Sequence, residues 1–166
     1  MNLTDKIALV TGGSVGIGRA VAESLIGAGV KVAITGRDRA KLEQTATAIG
    51  AHAIQGDVSK EADVERTYRE VLDAFGDLDI LINNAGVGVF KPLVEMDLGS
   101  FERVIATNVT GAMLMGREAA KLFVARNAGH IVNIASTASL RGAPGGTAYM
   151  TSKFALRGMT ECWRAE

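Results

Sequence analysis

The sequence predicts an α/β fold, a doubly wound parallel sheet with strand order 3-2-1-4-5. Five apolar runs of strand length alternate with stretches of helical period. Several of those runs have almost no polar interruption, as expected for strands covered by helices on both faces of a sheet. Right-handed crossovers between parallel strands then favour the doubly wound order, which places a ligand crevice at the carboxyl ends of the strands.

Taken in chain order, the first strand is Ile7–Thr11, broken by Gly12 and followed by a helix over Ile17–Gly27. The second strand, Lys31–Thr35, leads through Gly36-Arg37-Asp38 into a helix over Arg39–Ile49. A short third strand, Ala53–Gln55, precedes a helix over Lys60–Phe75. The fourth, Ile80–Asn83, ends in a turn at Asn84-Ala85-Gly86, and a long helix follows over Gly99–Arg126. Ile131–Ala135 is the fifth strand. The Gly- and Pro-rich stretch Arg141–Gly146 reads as a loop, and the last helix starts near Thr147 and runs to the end. No repeat or linker divides residues 1–166, which read as a single domain.

The composition is globular, with 48% hydrophobic and 22% charged residues. Eighteen basic residues balance eighteen acidic ones, so no overall field recruits nucleic acid or a membrane surface. Cys162 is the single cysteine, and no Cys/His cluster suggests a metal. Met1 to Lys6 run into the first strand without a leader pattern, and no apolar run reaches the roughly 18 residues of a membrane span. The expectation is a cytoplasmic protein with neither nucleic-acid nor membrane partners.

Two local patterns carry chemistry. In Gly12-Gly13-Ser14-Val15-Gly16-Ile17-Gly18 a glycine turn joins a strand to a helix, aiming backbone N–H groups and a positive helix end at an anion such as a pyrophosphate. Gly12 permits the tight turn, Gly16 close backbone approach, and Gly18 packing of helix on strand. Strand-to-helix turns of many kinds use glycine, so the cluster alone is weak evidence. Near the other end, Tyr149 and Lys153 share one helix face at i and i+4. An ammonium there can stabilise the phenolate form that an acid–base catalyst passes through.

Thr11-Gly12-x3-Gly16-x-Gly18, Asn83-Asn84-Ala85-Gly86, Ser136 and Tyr149-x3-Lys153 together resemble, in that order, the motifs of the main branch of the short-chain dehydrogenase/reductase family, and broadly its β-ketoacyl carrier-protein reductase-like members. The resemblance implies a Rossmann-like fold and hydride transfer between a nicotinamide cofactor and a carbonyl or secondary alcohol. It implies catalytic roles for Tyr149 as general acid and base, Lys153 on the nicotinamide ribose and beside the phenolate, and Ser136 on the substrate oxygen. Asn108 matches the family's fourth catalytic position, at a local helix irregularity that serves a water relay. Ser139 is a weaker candidate, because its spacing from Tyr149 does not fit.

For the cofactor, the resemblance implies contacts from Gly12, Ser14, Gly16, Ile17 and Gly18 in the turn, Asp57 and Val58 beside the adenine, and Asn84, Ala85 and Gly86 near its ribose. An N-cap role for Asp57 or Ser59 ahead of the helix from Lys60 competes. At the end of the second strand, Gly36 stands where an acidic residue would bind the 2′-hydroxyl of NAD, and Arg37 follows with a guanidinium suited to a 2′-phosphate. NADP(H) is therefore expected, with NAD(H) as the alternative, since Asp38 is adjacent and Arg37 also fits a solvated loop charge.

Family members usually run to roughly 250 residues, within the single-domain range. The chain thus reads as C-terminally incomplete, lacking the expected last strands and substrate cover, and weak activity with a tendency to associate is expected of 166 residues alone. A small-molecule or acyl-carrier carbonyl substrate and a full-length homodimer or homotetramer are further expectations. The alternative function is a catalytically silent nucleotide-binding sensor or scaffold of the same fold.

Overall fold

The computed structural model describes residues 2–166. Five parallel strands form one sheet in the order β3-β2-β1-β4-β5, the order read from the sequence. They are β1 (Ile7–Thr11), β2 (Lys31–Gly36), β3 (His52–Gln55), β4 (Ile80–Asn83) and β5 (His130–Asn133). Six α-helices accompany them: α1 (Gly16–Gly27), α2 (Arg39–Ile49), α3 (Glu61–Phe75), α4 (Leu98–Ile105), α5 (Gly111–Arg126) and α6 (Thr147–Ala165).

Alternation along the strands sorts the core into two layers. Ala8 and Val10 of β1, with Val32 and Ile34 of β2, pack against Ala22 of α1 and Leu42 and Ala46 of α2. On the opposite face, Leu9, Ala33, Ile54 and Leu81 meet Val64, Tyr68 and Val71 of α3 and Leu114, Met115 and Ala119 of α5. Both faces of the central strands are covered, which is why β1 is buried along its whole length and reads as continuously apolar.

Several boundaries differ from the sequence reading by a residue or two, and two of them lie beside the carboxyl ends of the strands. The fifth strand stops at Asn133 rather than Ala135, because β4 ends at Asn83 and offers only one further bond, from Ile134 N–H to the Asn83 carbonyl at 2.9 Å. The third helix begins at Glu61, with Lys60 as its N-cap and no side-chain cap, so neither Asp57 nor Ser59 caps it. Asp57 instead closes its own turn, its Oδ1 accepting from Ser59 N–H at 3.0 Å and Ser59 Oγ at 2.8 Å.

The expected long helix is divided. α4 starts at Leu98 under an Asp97 cap that accepts from Ser100 N–H at 2.8 Å. Between α4 and α5, residues Ala106–Thr110 form a π-helical turn around Asn108, which matches the irregularity expected there. Another buried cluster, Val89, Val104 and Ala148, joins the loop after β4 to α4 and α6.

Candidate active site

A cleft of about 670 Å³ opens where the carboxyl ends of the strands meet the turns that follow them. Its floor is the β1–α1 turn. Gly16 adopts φ +56°, and a Cβ there would meet no atom within 4 Å, so the backbone faces open space at the mouth of the helix. Gly18 lies behind the turn, where a Cβ would stand 2.4 Å from both Asn84 Nδ2 and the Gly12 carbonyl oxygen. That spacing lets Asn84 reach over and donate to the carbonyls of Thr11 at 2.9 Å and Gly12 at 3.2 Å. Thr11 returns the link, its Oγ1 accepting from the N–H groups of Asn84 at 3.0 Å and Ala85 at 2.9 Å. The turn after β4 is thereby tied to the glycine turn, and Asn84 serves the backbone as well as lining the cleft.

Along one end of the cleft stand Gly36, Arg37, Asp38 and Lys41. Arg37 is exposed and forms no ion pair among the described residues, while its carbonyl is held by Gln55 Nε2 at 3.0 Å. Asp38 is engaged as the N-cap of α2, accepting from Lys41 N–H at 3.1 Å. The carboxylate is thus held at the helix start, and two cations, Arg37 and Lys41, line this end. Lys41 was not singled out in the sequence; its place in the first turn of α2 behind the Asp38 cap is the signal that could have found it. Thr35 also lines the cleft, and its buried hydroxyl has no hydrogen-bond partner among the described residues.

At the other end are Tyr149 and Lys153 on α6. Lys153 is 7% exposed, and its Nζ donates to the Ile134 carbonyl at 2.7 Å while lying 5.7 Å from the centre of the Tyr149 ring. Burial lowers the pKa of this ammonium from 10.5. The Tyr149 hydroxyl makes no hydrogen bond among the described residues.

Of the residues expected in the site, Gly12, Ser14, Gly16, Ile17, Arg37, Asp57, Val58, Asn84, Ala85, Gly86, Tyr149 and Lys153 line this one cleft. Gly18, Asn108 and Ser136 do not; they stand behind or beside it. Asn108 is 2% exposed, its Oδ1 accepting from Val87 N–H at 2.8 Å and its Nδ2 donating to the Val87 carbonyl and to Ser152 Oγ, each at 2.9 Å. Ser152 Oγ donates in turn to the Tyr149 carbonyl at 2.6 Å. The π-turn thus holds both the loop after β4 and the first turn of α6.

Ser136 is the N-cap of a short 3-10 turn, Thr137–Ser139. Its Oγ accepts from Ala138 N–H at 3.1 Å, and Ser139 Oγ accepts from Ser136 N–H at 3.2 Å. The Ser136 hydroxyl proton stays available beside Ala135, a cleft residue, whereas Ser139, 2% exposed, is part of the cap.

The cleft suits a dinucleotide: open glycine backbone at a helix start, cations at one end and a tyrosine–lysine pair at the other. Among the described residues no group of three His, Cys, Asp or Glu side chains is placed to hold a metal, and no helix is long and apolar enough to cross a membrane.

Comparison with known proteins agrees with this geometry. Sorbitol dehydrogenase of Cereibacter sphaeroides is 38% identical over 164 residues, which cover 97% of this chain and 64% of that protein. A 3-oxoacyl-[acyl-carrier-protein] reductase of Aquifex aeolicus is 35% identical, with 97% of this chain and 67% of that one covered. Among solved structures, a short-chain dehydrogenase/reductase from Burkholderia phymatum in complex with NAD superposes with a TM-score of 0.94 at 35% identity, over 98% of this chain and 60% of that one. The chain therefore spans about two thirds of the length of these relatives. The family model described as short chain dehydrogenase matches residues 6–166, and with relatives of 35–38% identity it shows that the chain belongs to the short-chain dehydrogenase family of oxidoreductases.

Proposed function

We propose that this protein moves a hydride between NADP(H) and a carbonyl or secondary-alcohol substrate, with Tyr149 as the general acid and base. The observation that carries this reading is the position of the Tyr149 ring and the buried Lys153 ammonium 5.7 Å apart in the same cleft as the glycine turn.

When bound, the nicotinamide supplies or accepts the hydride. The protein's own residues manage the proton and the orientation. In the reducing direction Tyr149 Oη gives its proton to the carbonyl oxygen; in the oxidising direction it takes one from the alcohol. The Lys153 ammonium stabilises the phenolate electrostatically, more strongly as ligands exclude water, and binds the ribose hydroxyls of the nicotinamide half. Ser136 Oγ donates its free proton to the substrate oxygen and fixes its direction. Asn108 acts through others, holding α6 through Ser152 and the loop after β4 through Val87.

Arg37 and Lys41 support NADP(H), since both are free to approach a 2′-phosphate while Asp38 caps α2. NAD(H) is the second reading, favoured by the NAD held in the Burkholderia relative. The relatives' names, a sorbitol dehydrogenase and a 3-oxoacyl-[acyl-carrier-protein] reductase, bracket the proposed substrate class between a polyol and an acyl-carrier ketone. Cytoplasmic location, consistent with the free, exposed Cys162, and assembly as a homodimer or homotetramer complete the proposal.

The test is loss of NADPH absorbance at 340 nm against a panel of ketones, run on the complete polypeptide that carries this sequence, beside a cofactor titration. Turnover with at least one ketone is expected. Tight cofactor binding with no turnover across the panel would favour a silent nucleotide sensor instead.

A further inference from the structure

Beside the catalytic tyrosine lies an aromatic side chain that the proton and hydride chemistry does not use. Phe90 is 64% exposed, and its ring centre is 5.3 Å from that of Tyr149, at an interplanar angle of 47°. The contact depends on Gly88. A Cβ built there would stand 2.9 Å from Phe90 Cε2 and 3.6 Å from Tyr149 Cδ2, so any larger residue would push the ring away.

The loop that presents Phe90 is fixed at both ends. Asn108 holds both the N–H and the carbonyl of Val87, and Lys91 N–H donates to the Gly145 carbonyl at 3.0 Å. Between these anchors Val89 is buried with Val104 and Ala148. Phe90 is thus an exposed ring on an ordered support, held over the residue that must touch the substrate oxygen.

We propose that Phe90 sets substrate choice: its ring forms an apolar wall beside Tyr149 that favours a carbonyl or secondary alcohol bearing an aromatic or aliphatic group and disfavours a polyol. This rests on the function proposed for Tyr149. An apolar group laid on the ring removes exposed hydrocarbon from water on both sides. Polyol hydroxyls laid there would lose water and gain no hydrogen bond, because phenylalanine offers none.

NADPH-loaded protein holds an alcohol without turnover, so the complete polypeptide can be titrated with 1-phenylethanol and with sorbitol while cofactor fluorescence is followed. The wild type binds 1-phenylethanol more tightly than sorbitol. Phe90→Ala weakens 1-phenylethanol about tenfold and leaves sorbitol within about twofold, the scale expected for losing one apolar contact face. Unchanged NADPH affinity reports an intact fold. Phe90→Leu, which keeps an apolar wall, retains most of the 1-phenylethanol affinity and carries the comparison if the alanine variant no longer holds NADPH. Equal binding of the two alcohols by the wild type, or equal weakening of both by Phe90→Ala, overturns the proposal. A Tyr149→Phe protein with normal turnover would count against the proposed function instead and leave the Phe90 comparison standing.

Discussion

Gly36→Asp should exchange the cofactor preference of this protein. The position tolerates the change: a Cβ at Gly36 would lie 3.4 Å from Ser14 Oγ and 3.5 Å from Leu42 Cδ1, ordinary contact distances. The added carboxylate would stand at the cleft end lined by Arg37 and Lys41, where the 2′-phosphate of NADP(H) is proposed to lie. Two like charges roughly 4 Å apart repel by about 4 kcal/mol at an effective dielectric of 20 and about 1 kcal/mol in bulk water. A site at the open rim falls between, at about 2 kcal/mol, or roughly thirtyfold in NADPH affinity. Charged hydrogen bonds from the ribose hydroxyls of NADH to the same carboxylate contribute about 1.5–3 kcal/mol the other way. The ratio of the two dissociation constants should therefore swing by a factor on the order of several hundred to a few thousand.

Fluorescence titration of NADPH and NADH gives both constants for wild type and variant, with thermal unfolding as the check on folding. Arg37→Ala is the companion: it should weaken NADPH about tenfold, leave NADH unchanged, and lose much of its effect at 1 M salt, where the Debye length falls to about 3 Å. An unaltered ratio in Gly36→Asp, or a wild type that prefers NADH, would refute the reasoning about this end of the cleft.

Gly18→Ala should destabilise the protein by about 1–3 kcal/mol and impair nucleotide binding, because its Cβ would displace either Asn84 or the Gly12 carbonyl. Urea unfolding with cofactor titration checks this, and wild-type values in both would contradict the packing role. Lys153 predicts a pH effect: burial lowers its folded-state pKa from 10.5, so just below 10.5 the unfolded chain binds more protons than the folded one. The cost of the buried ammonium thus fades as pH rises through the folded-state value towards 10.5. Wild type should gain stability relative to Lys153→Met over that interval in urea titrations, and a difference independent of pH would contradict the desolvation.

The sheet order was legible because strand-length apolar runs, helical stretches and right-handed crossovers leave little choice once both faces of the sheet are covered. The glycine turn at the start of α1 was legible too, since its motif is local and its glycines answer to local geometry. What the sequence did not reveal depends on contacts between distant segments. Lys41 lines the cleft because α2 packs on the sheet through Leu42 and Ala46, and Phe90, legible as apolar pocket lining, meets the ring of Tyr149 far along the chain. Asn108 was recognisable by its place in a helix that disfavours it, yet its grip on Val87 and Ser152 spans 21 and 44 residues. Asp57 was ambiguous for a local reason: an acidic residue between a strand and a helix fits an adenine contact or an N-cap, and here it closes a turn on the N–H and hydroxyl of Ser59.

The central claim is that the Tyr149 hydroxyl carries the proton. Tyr149→Phe removes that oxygen and nothing else, so single-turnover oxidation of bound NADPH by a ketone substrate should slow by at least two orders of magnitude, the usual worth of a positioned acid, while NADPH affinity stays within about twofold. A variant that transfers the hydride at the wild-type rate would contradict it.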